Sequence, residues 1–317
     1  MLSYIVRRVT YALPIAIGVT ILCFLLIHLA PGDPLSAVLP DNASPEMRRQ
    51  LAALYAFDQP LPVQYFIWLK RILVGDFGIS IQSRRPVIGE ILPAIQNTFI
   101  LATAAVTIGF PIGILLGAIA GFVNGTALDR VVTSIAVTGV SVPHYWLGMV
   151  LVVVFAVNLN MLPAMGMSPS GSGNYALNWA HLQHIILPAI TLAVIPAAII
   201  ARSVRGTVAD IRQREFVGTL YSKGLRPSRI LLHVAKNAGP TVLAVAGLQL
   251  AQLLGGSILV ETVFSWPGSG FLLNSAIFTR DLPILQGTIL ILALLFVMIN
   301  LLVDVMQTIL DPRIKRS

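Results

Sequence analysis

The stretch TFILATAAVTIGFPIGILLGAIAG, residues 98 to 121, carries no charged side chain. A helix needs roughly 20 mostly apolar residues to cross the hydrocarbon core of a bilayer. This run satisfies that length and extends toward Ile91 on one side and Val123 on the other. Gly109, Gly113, Gly117 and Gly121 recur at every fourth position and so share one helix face. Small residues at that spacing let backbones approach closely where lipid supplies no hydrophobic drive. The spacing favours helix packing over a direct substrate role.

Composition extends this reading to the whole chain. Of 317 residues, 56% are hydrophobic and 11% are charged. A soluble domain carries about 25% charged residues, so this chain cannot clothe a water-exposed surface of its size. A soluble enzyme and a disordered chain are both excluded. Cys23 is the single cysteine, which excludes an internal disulfide and a cysteine-based metal cluster.

Further charge-poor runs occur at Val9–Ala30, Val131–Val157, Ile185–Ala201, Ala238–Val260 and Leu282–Val303. Together with Ile91–Val123 they predict an all-α polytopic membrane protein with six transmembrane helices. The Ile185–Ala201 run reads as short, and it holds Pro188 and Pro196. Pro14, Pro111 and Pro143 interrupt other runs, and each can bend a helix. The Arg7-Arg8 pair before the first run resembles a signal peptide. The run is too long for a typical h-region and no small-x-small site follows, so it reads as an uncleaved first span.

Basic residues set the orientation. The segment 202–237 holds eight: Arg202, Arg205, Arg212, Arg214, Lys223, Arg226, Arg229 and Lys236. It has two acids, Asp210 and Glu215. An even number of spans places this segment, Arg7-Arg8, Asp129-Arg130 and the C-terminal tail on one side. That side holds the excess of Lys and Arg and is therefore cytoplasmic. The net charge of +8 is thus a topology signal and not a nucleic-acid footprint. The chain divides into 1–30 (N-terminus and first span), 31–93 (an outer loop with a small helical cap) and 94–317 (a five-helix core).

Polar residues in the spans are few. Asn97, His144, Gln249 and Gln252 are candidates for lining a polar path, since such groups in lipid usually face a bundle interior or water. Gln249 and Gln252 share a face. Interhelical hydrogen bonding is the competing role. His181 and His184 are spaced to share a metal ligand, but no carboxylate or cysteine lies near enough in sequence to complete a site. No Lys follows a Gly, so there is no G-x-x-x-x-G-K-[ST] loop to cradle nucleotide phosphates. G-x-S-x-G and H-E-x-x-H are also missing. No metal site and no cofactor is expected in this chain, and any energy for active transport must come from another subunit or an ion gradient.

Segment 202–237 mixes helix formers, bases and apolar residues. Lys223-Gly224 can end one short helix and Pro227-Ser228 can begin another. The resulting helix–Gly–helix knob suits docking into a partner's groove, or lying on anionic headgroups.

At this point the residues resemble the peptide-type permease subunits of ABC importers, which handle dipeptides, oligopeptides, glutathione or nickel. The resemblance covers essentially the whole chain. It rests on Arg7-Arg8, Leu29-Ala30-Pro31-Gly32-Asp33-Pro34, Asp58-Gln59-Pro60-Leu61-Pro62-Val63-Gln64-Tyr65 and Gly75-Asp76-Phe77-Gly78. Pro143 with Trp146-Leu147-Gly148, Lys223-Gly224-Leu225, the run from Glu261 to Gly268, and Leu310-Asp311-Pro312-Arg313 complete the set.

The resemblance implies a type I ABC importer permease fold in the bacterial inner (plasma) membrane, multi-pass, with both termini cytoplasmic. It implies a second homologous permease subunit, two cytoplasmic ATPase subunits that bind ATP and Mg, and a periplasmic or lipid-anchored solute-binding protein. The implied coupling helix runs near Glu215 to Leu225, with Glu215, Phe216, Thr219, Tyr221, Lys223, Gly224 and Leu225 as its candidate residues. Trp266, Pro267 and Gly268 are candidates for touching the binding protein. One departure stands out. Gly218-Thr219-Leu220 replaces the Glu-Ala-Ala of the general importer motif and the Arg-Thr-Ala of the peptide subgroup. A stand-alone channel or carrier, and a membrane enzyme using His181 and His184, are the competing functions.

Overall fold

The computed structural model describes residues 2–29, 44–46, 49, 58–169 and 178–310. The Pro31–Pro34 and Asp311–Arg313 portions of the family motifs lie outside the described residues. So do parts of the outer loop and of the charge-free segment 158–184.

Among the described residues the regular structure is helical. The elements are α1 (Leu2–Leu29), α2 (Leu61–Leu73), α3 (Val87–Phe122), α4 (Ala127–Ser141) and α5 (His144–Leu151). A π-helical turn, Val152–Asn158, continues α5. Then follow α6 (Trp179–Arg212), α7 (Glu215–Ser222), α8 (Pro227–Val263), α9 (Ser269–Thr279) and α10 (Leu282–Leu310). Among the described residues, four helices are long and apolar enough to cross a membrane: α3, α6, α8 and α10. The bent α4–α5 pair makes a fifth where it is counted as one span. The apolar part of α1, Thr10–Leu25, is shorter. The protein is therefore an all-α, multi-pass membrane protein.

The α3·α6 pair is the spine, and the glycine face is its seam. A Cβ at Gly109 would lie 2.9 Å from the Ala193 carbonyl oxygen, at Gly113 2.5 Å from that of Ala197, and at Gly121 2.8 Å from that of Arg205. Gly117 meets Ala201 in the same way. Both helices advance by four residues per contact, so their backbones touch through more than two turns.

Two expectations are corrected, and a third is met. The run Ile185–Ala201 is not a short span. It lies inside a 34-residue helix that passes through Pro188 and Pro196 and includes Arg202, Arg205 and Arg212. The run Val131–Val157 bends at its proline, as expected: α4 and α5 meet at about 100°. Pro143 fixes the break: it has no N–H to donate, and it holds Val142 extended at ψ 124°. Finally, segment 202–237 is not one loop. Its ends extend α6 and α8, which leaves only residues 213–226 between the long helices.

Helix α2 packs on α1. Tyr65 Oη is 2.7 Å from Thr20 Oγ1, and its ring meets Phe24 edge-on at 5.5 Å. The next turn is anchored to α10. Asp281 caps that helix through the Ile284 N–H, and its other oxygen accepts from Ser80 Oγ at 2.5 Å and the Gln82 N–H at 3.1 Å.

Candidate coupling elbow and outer staple

The elbow between α6 and α8 is built from one buried anchor and an exposed rim. In α7, Val217 is 1% exposed and packs with Val208, Ile211, Ile230 and Val234. Phe216, Leu220 and Leu225 flank that cluster. Glu215, Gly218, Thr219, Tyr221, Ser222 and Lys223 face outward. This helix of eight residues, about two turns, thus has one face committed to the core and one face exposed.

The end of α7 explains Lys223-Gly224-Leu225. The Gly224 N–H donates to the Tyr221 carbonyl at 2.9 Å, and the Leu225 N–H donates to the Leu220 carbonyl at 3.2 Å. This paired arrangement closes the helix and needs a left-handed residue between. Gly224 supplies it at φ +71°. Leu225 then packs near Leu220, and Pro227 opens α8 at a position whose N–H would be unpaired anyway. The short helix and its two boundaries thus match the sequence expectation. Arg214, Lys223, Arg226 and Arg229 are exposed around the elbow, which gives it a basic skirt.

The candidate path residues do not form one cluster. Gln249 is buried and donates its amide to Gln252 Oε1 at 3.0 Å, while Gln252 is exposed. His144 is half-buried at the start of α5, and its Nδ1 has no partner among the described residues. Asn97 is 5% exposed, and its amide donates to the Pro267 carbonyl at 2.9 Å. Asn97 thus braces the turn after α8.

Trp266 and Gly268 are likewise interior, which corrects their place as residues touching a binding protein. Trp266 is fully buried and donates from Nε1 to the Asn97 carbonyl at 2.9 Å. Pro267 keeps partial exposure. Glu261, expected in an outer loop, belongs to the last turn of α8 and has no exposure. Its carboxylate accepts from Thr98 Oγ1 at 2.8 Å and from the Gly270 and Phe271 N–H groups at 2.7 and 3.2 Å. Those two N–H groups open α9, so the carboxylate caps that helix from a distance. Gly268 leaves room for the carboxyl group, which a Cβ would strike. The run from Glu261 to Gly270 is therefore a staple joining α3, α8 and α9. Reading the residues one by one left Thr98 out of this set. A lone acid at the edge of an apolar span is the signal that could have found it, since such a charge must be paired or satisfied.

His181 and His184 do not converge on a shared ligand position. His181 Nδ1 lies 2.7 Å from Asn178 Oδ1, and His184 Nδ1 lies 3.1 Å from the Met165 carbonyl. Among the described residues, no group of three His, Cys, Asp or Glu comes together.

A spine of glycine-packed helices with a core-anchored, basic elbow between two spans is the frame of a multi-pass membrane protein. Comparison with known proteins places it further. Residues 113–316 match the family described as binding-protein-dependent transport system inner membrane component. Residues 1–107 match the N-terminal family of such membrane components. The chain is 37% identical over 332 residues to the dipeptide transport system permease protein DppB of Alkalihalophilus pseudofirmus, covering 99% of this chain and 100% of that one. It is 35% identical over 338 residues to DppB of Escherichia coli K12, with 100% of both chains covered. A putative peptide transport system permease protein of Brucella abortus (strain 2308) is 39% identical over 316 residues, with 99% of both chains covered. The chain belongs to the binding-protein-dependent transport system inner membrane component family. It is a multi-pass inner-membrane permease subunit of an ABC importer.

Proposed function

We propose that this chain is one half of the channel through which an ATP-driven importer carries dipeptides or oligopeptides. The full-length similarity to dipeptide permeases carries this reading. The α7 elbow supports it, since one face is anchored in the core and the other is open to a partner. In this reading six helices span the membrane, α1 and the bent α4–α5 pair included, and both termini are cytoplasmic. Residues 1–30 form the first span, 31–93 an outer cap that includes α2, and 94–317 the five-helix core.

A second permease subunit completes the channel. Two cytoplasmic ATPases bind ATP and Mg and do the hydrolysis, and this chain is not an enzyme. Glu215, Thr219, Tyr221 and Lys223 meet an ATPase, with Phe216, Gly224 and Leu225 holding their frame. A solute-binding protein delivers the peptide at the outer face, where Pro267 is the member of its candidate set that retains exposure. Gln249, Gln252 and His144 line the path. Glutathione or a nickel chelate is the alternative cargo on the same architecture.

The test is reconstitution of the chain with its partner subunits in proteoliposomes, with labelled dipeptide outside and ATP at the ATPase face. Uptake should need ATP, both permeases and the binding protein. Uptake by this chain alone, without any ATPase, would overturn the reading in favour of a stand-alone carrier.

A further inference from the structure

The α3–α4 turn is tied to α6 by an ionic fork whose acid is buried and whose arginine is one third exposed. Asp129, in the first turn of α4, is 2% exposed. It accepts from Arg205 Nε at 2.9 Å and from Arg205 Nη2 at 2.7 Å, one on each oxygen. The two partners are 76 residues apart in sequence. Asp129 also accepts from the Gly125 N–H at 2.9 Å, and Arg205 reaches Asn124 Oδ1 at 2.8 Å. Two turns further along α6, Arg212 donates to the Phe122 carbonyl, and its guanidinium lies 5.4 Å from the Phe122 ring centre.

The need for this fork is unequal across the two helices it touches. The spine α3·α6 is already held along its length by the glycine seam. Helix α4 is held more loosely. Its packing on α6 centres on the small residues Ala136, Ala198 and Ala201. A cleft of about 200 Å³, lined by Leu116, Val132, Ile135 and Val194 among others, lies in that seam. At the cytoplasmic end the bidentate fork therefore carries the register of α4 on α6. Only Gln213 and Arg214 separate α6 from α7, whose Val217 shares a packed cluster with Val208 and Ile211. A displacement of α7 is thus delivered to the part of α6 that holds Arg205.

We propose that the Asp129–Arg205 fork is a positioning joint that makes α4, and α5 beyond the Pro143 bend, follow α6 when α7 is moved. This rests on the ATP-driven reading above. Neutralising Asp129 removes the charge that makes both bonds of the fork strong and leaves the part-exposed Arg205 free to turn to water. Asp129→Asn should therefore let α7 and α6 move without carrying α4.

The test uses the whole importer in proteoliposomes and reads peptide imported per ATP hydrolysed. Asp129→Asn should lower that ratio by about two- to thirtyfold, with KM for ATP unchanged. Asp129→Glu, which restores the carboxylate, should recover most of it. An Asp129→Asn complex that keeps the parent ratio overturns the proposal. A second measurement leaves the fork intact. Spin labels at the exposed positions Leu128 and Arg202 should keep one separation with and without trapped ATP, and a nucleotide-dependent change in that separation also overturns it. If the unsubstituted importer takes up peptide without ATP, the functional reading fails instead. If it requires ATP and Asp129→Asn changes nothing, only the joint fails.

Discussion

Gly113 and Ala197 lie so close that a Cβ on the glycine would sit 2.5 Å from the alanine's carbonyl oxygen. No real side chain tolerates that distance to a backbone atom, so α3 must move away from α6 if the glycine is replaced. The neighbouring steps Gly109–Ala193 and Gly117–Ala201 repeat the contact. A local widening would therefore spread along the spine. In lipid the attraction between two helices is dispersion and weak C–H···O contact, both of which fade within an ångström.

Gly113→Val and Gly117→Leu should each destabilise the subunit by roughly 1 to 3 kcal/mol or more. Thermal unfolding and monodispersity of the detergent-solubilised protein check this. Gly89→Ala is the control, because nothing lies within 4 Å of its would-be Cβ. It should leave both readouts unchanged.

Gly224→Val acts through the backbone alone, since the space around Gly224 is open and its φ is +71°. Forcing a β-branched residue into that conformation costs about 1 to 2 kcal/mol. The paired closing bonds of α7 should loosen and the exposed rim should lose its orientation. The expected outcome is normal membrane insertion with a severalfold drop in ATP-dependent uptake. Full uptake by this variant would remove the elbow's docking role.

Glu261→Ala should destabilise the outer staple more than Trp266→Phe. The first leaves the buried Gly270 N–H and the part-buried Phe271 N–H without their acceptor, each costing about 1 to 3 kcal/mol. The second loses one indole N–H bond to the Asn97 carbonyl, worth about 1 kcal/mol. Comparing melting temperatures of the two purified variants reads the order directly.

Asp281→Ala should free the turn that Ser80 and Gln82 fasten to α10. Arg84 and Arg85 in that turn are exposed. Trypsin cleavage after Arg84 in spheroplasts should therefore speed up relative to the unsubstituted protein. An unchanged rate would mean that the Ile79–Pro86 bridge suffices to hold the turn.

Much of the architecture was readable from local signals. Apolar runs marked the long helices, because lipid demands length and the absence of charge. Lys223-Gly224-Leu225 followed by Pro227 marked both boundaries of the elbow, because a left-handed closure and a proline start each act within one turn. The glycine spacing announced a tight contact on one face of α3.

Other features came from distant parts of the chain meeting. Nothing within α3 names Ala193, Ala197 and Ala201 as the surface its glycines touch. Glu261 and Trp266 read as loop residues near an apolar span's end, yet packing draws them inside, where Thr98 and Asn97 partner them from more than 160 residues away. Asp129 and Arg205 look like ordinary charges flanking spans until folding sets them 2.7 Å apart. Local chemistry governs conformations decided over one helical turn. Burial and pairing depend on which surfaces the folded chain brings together.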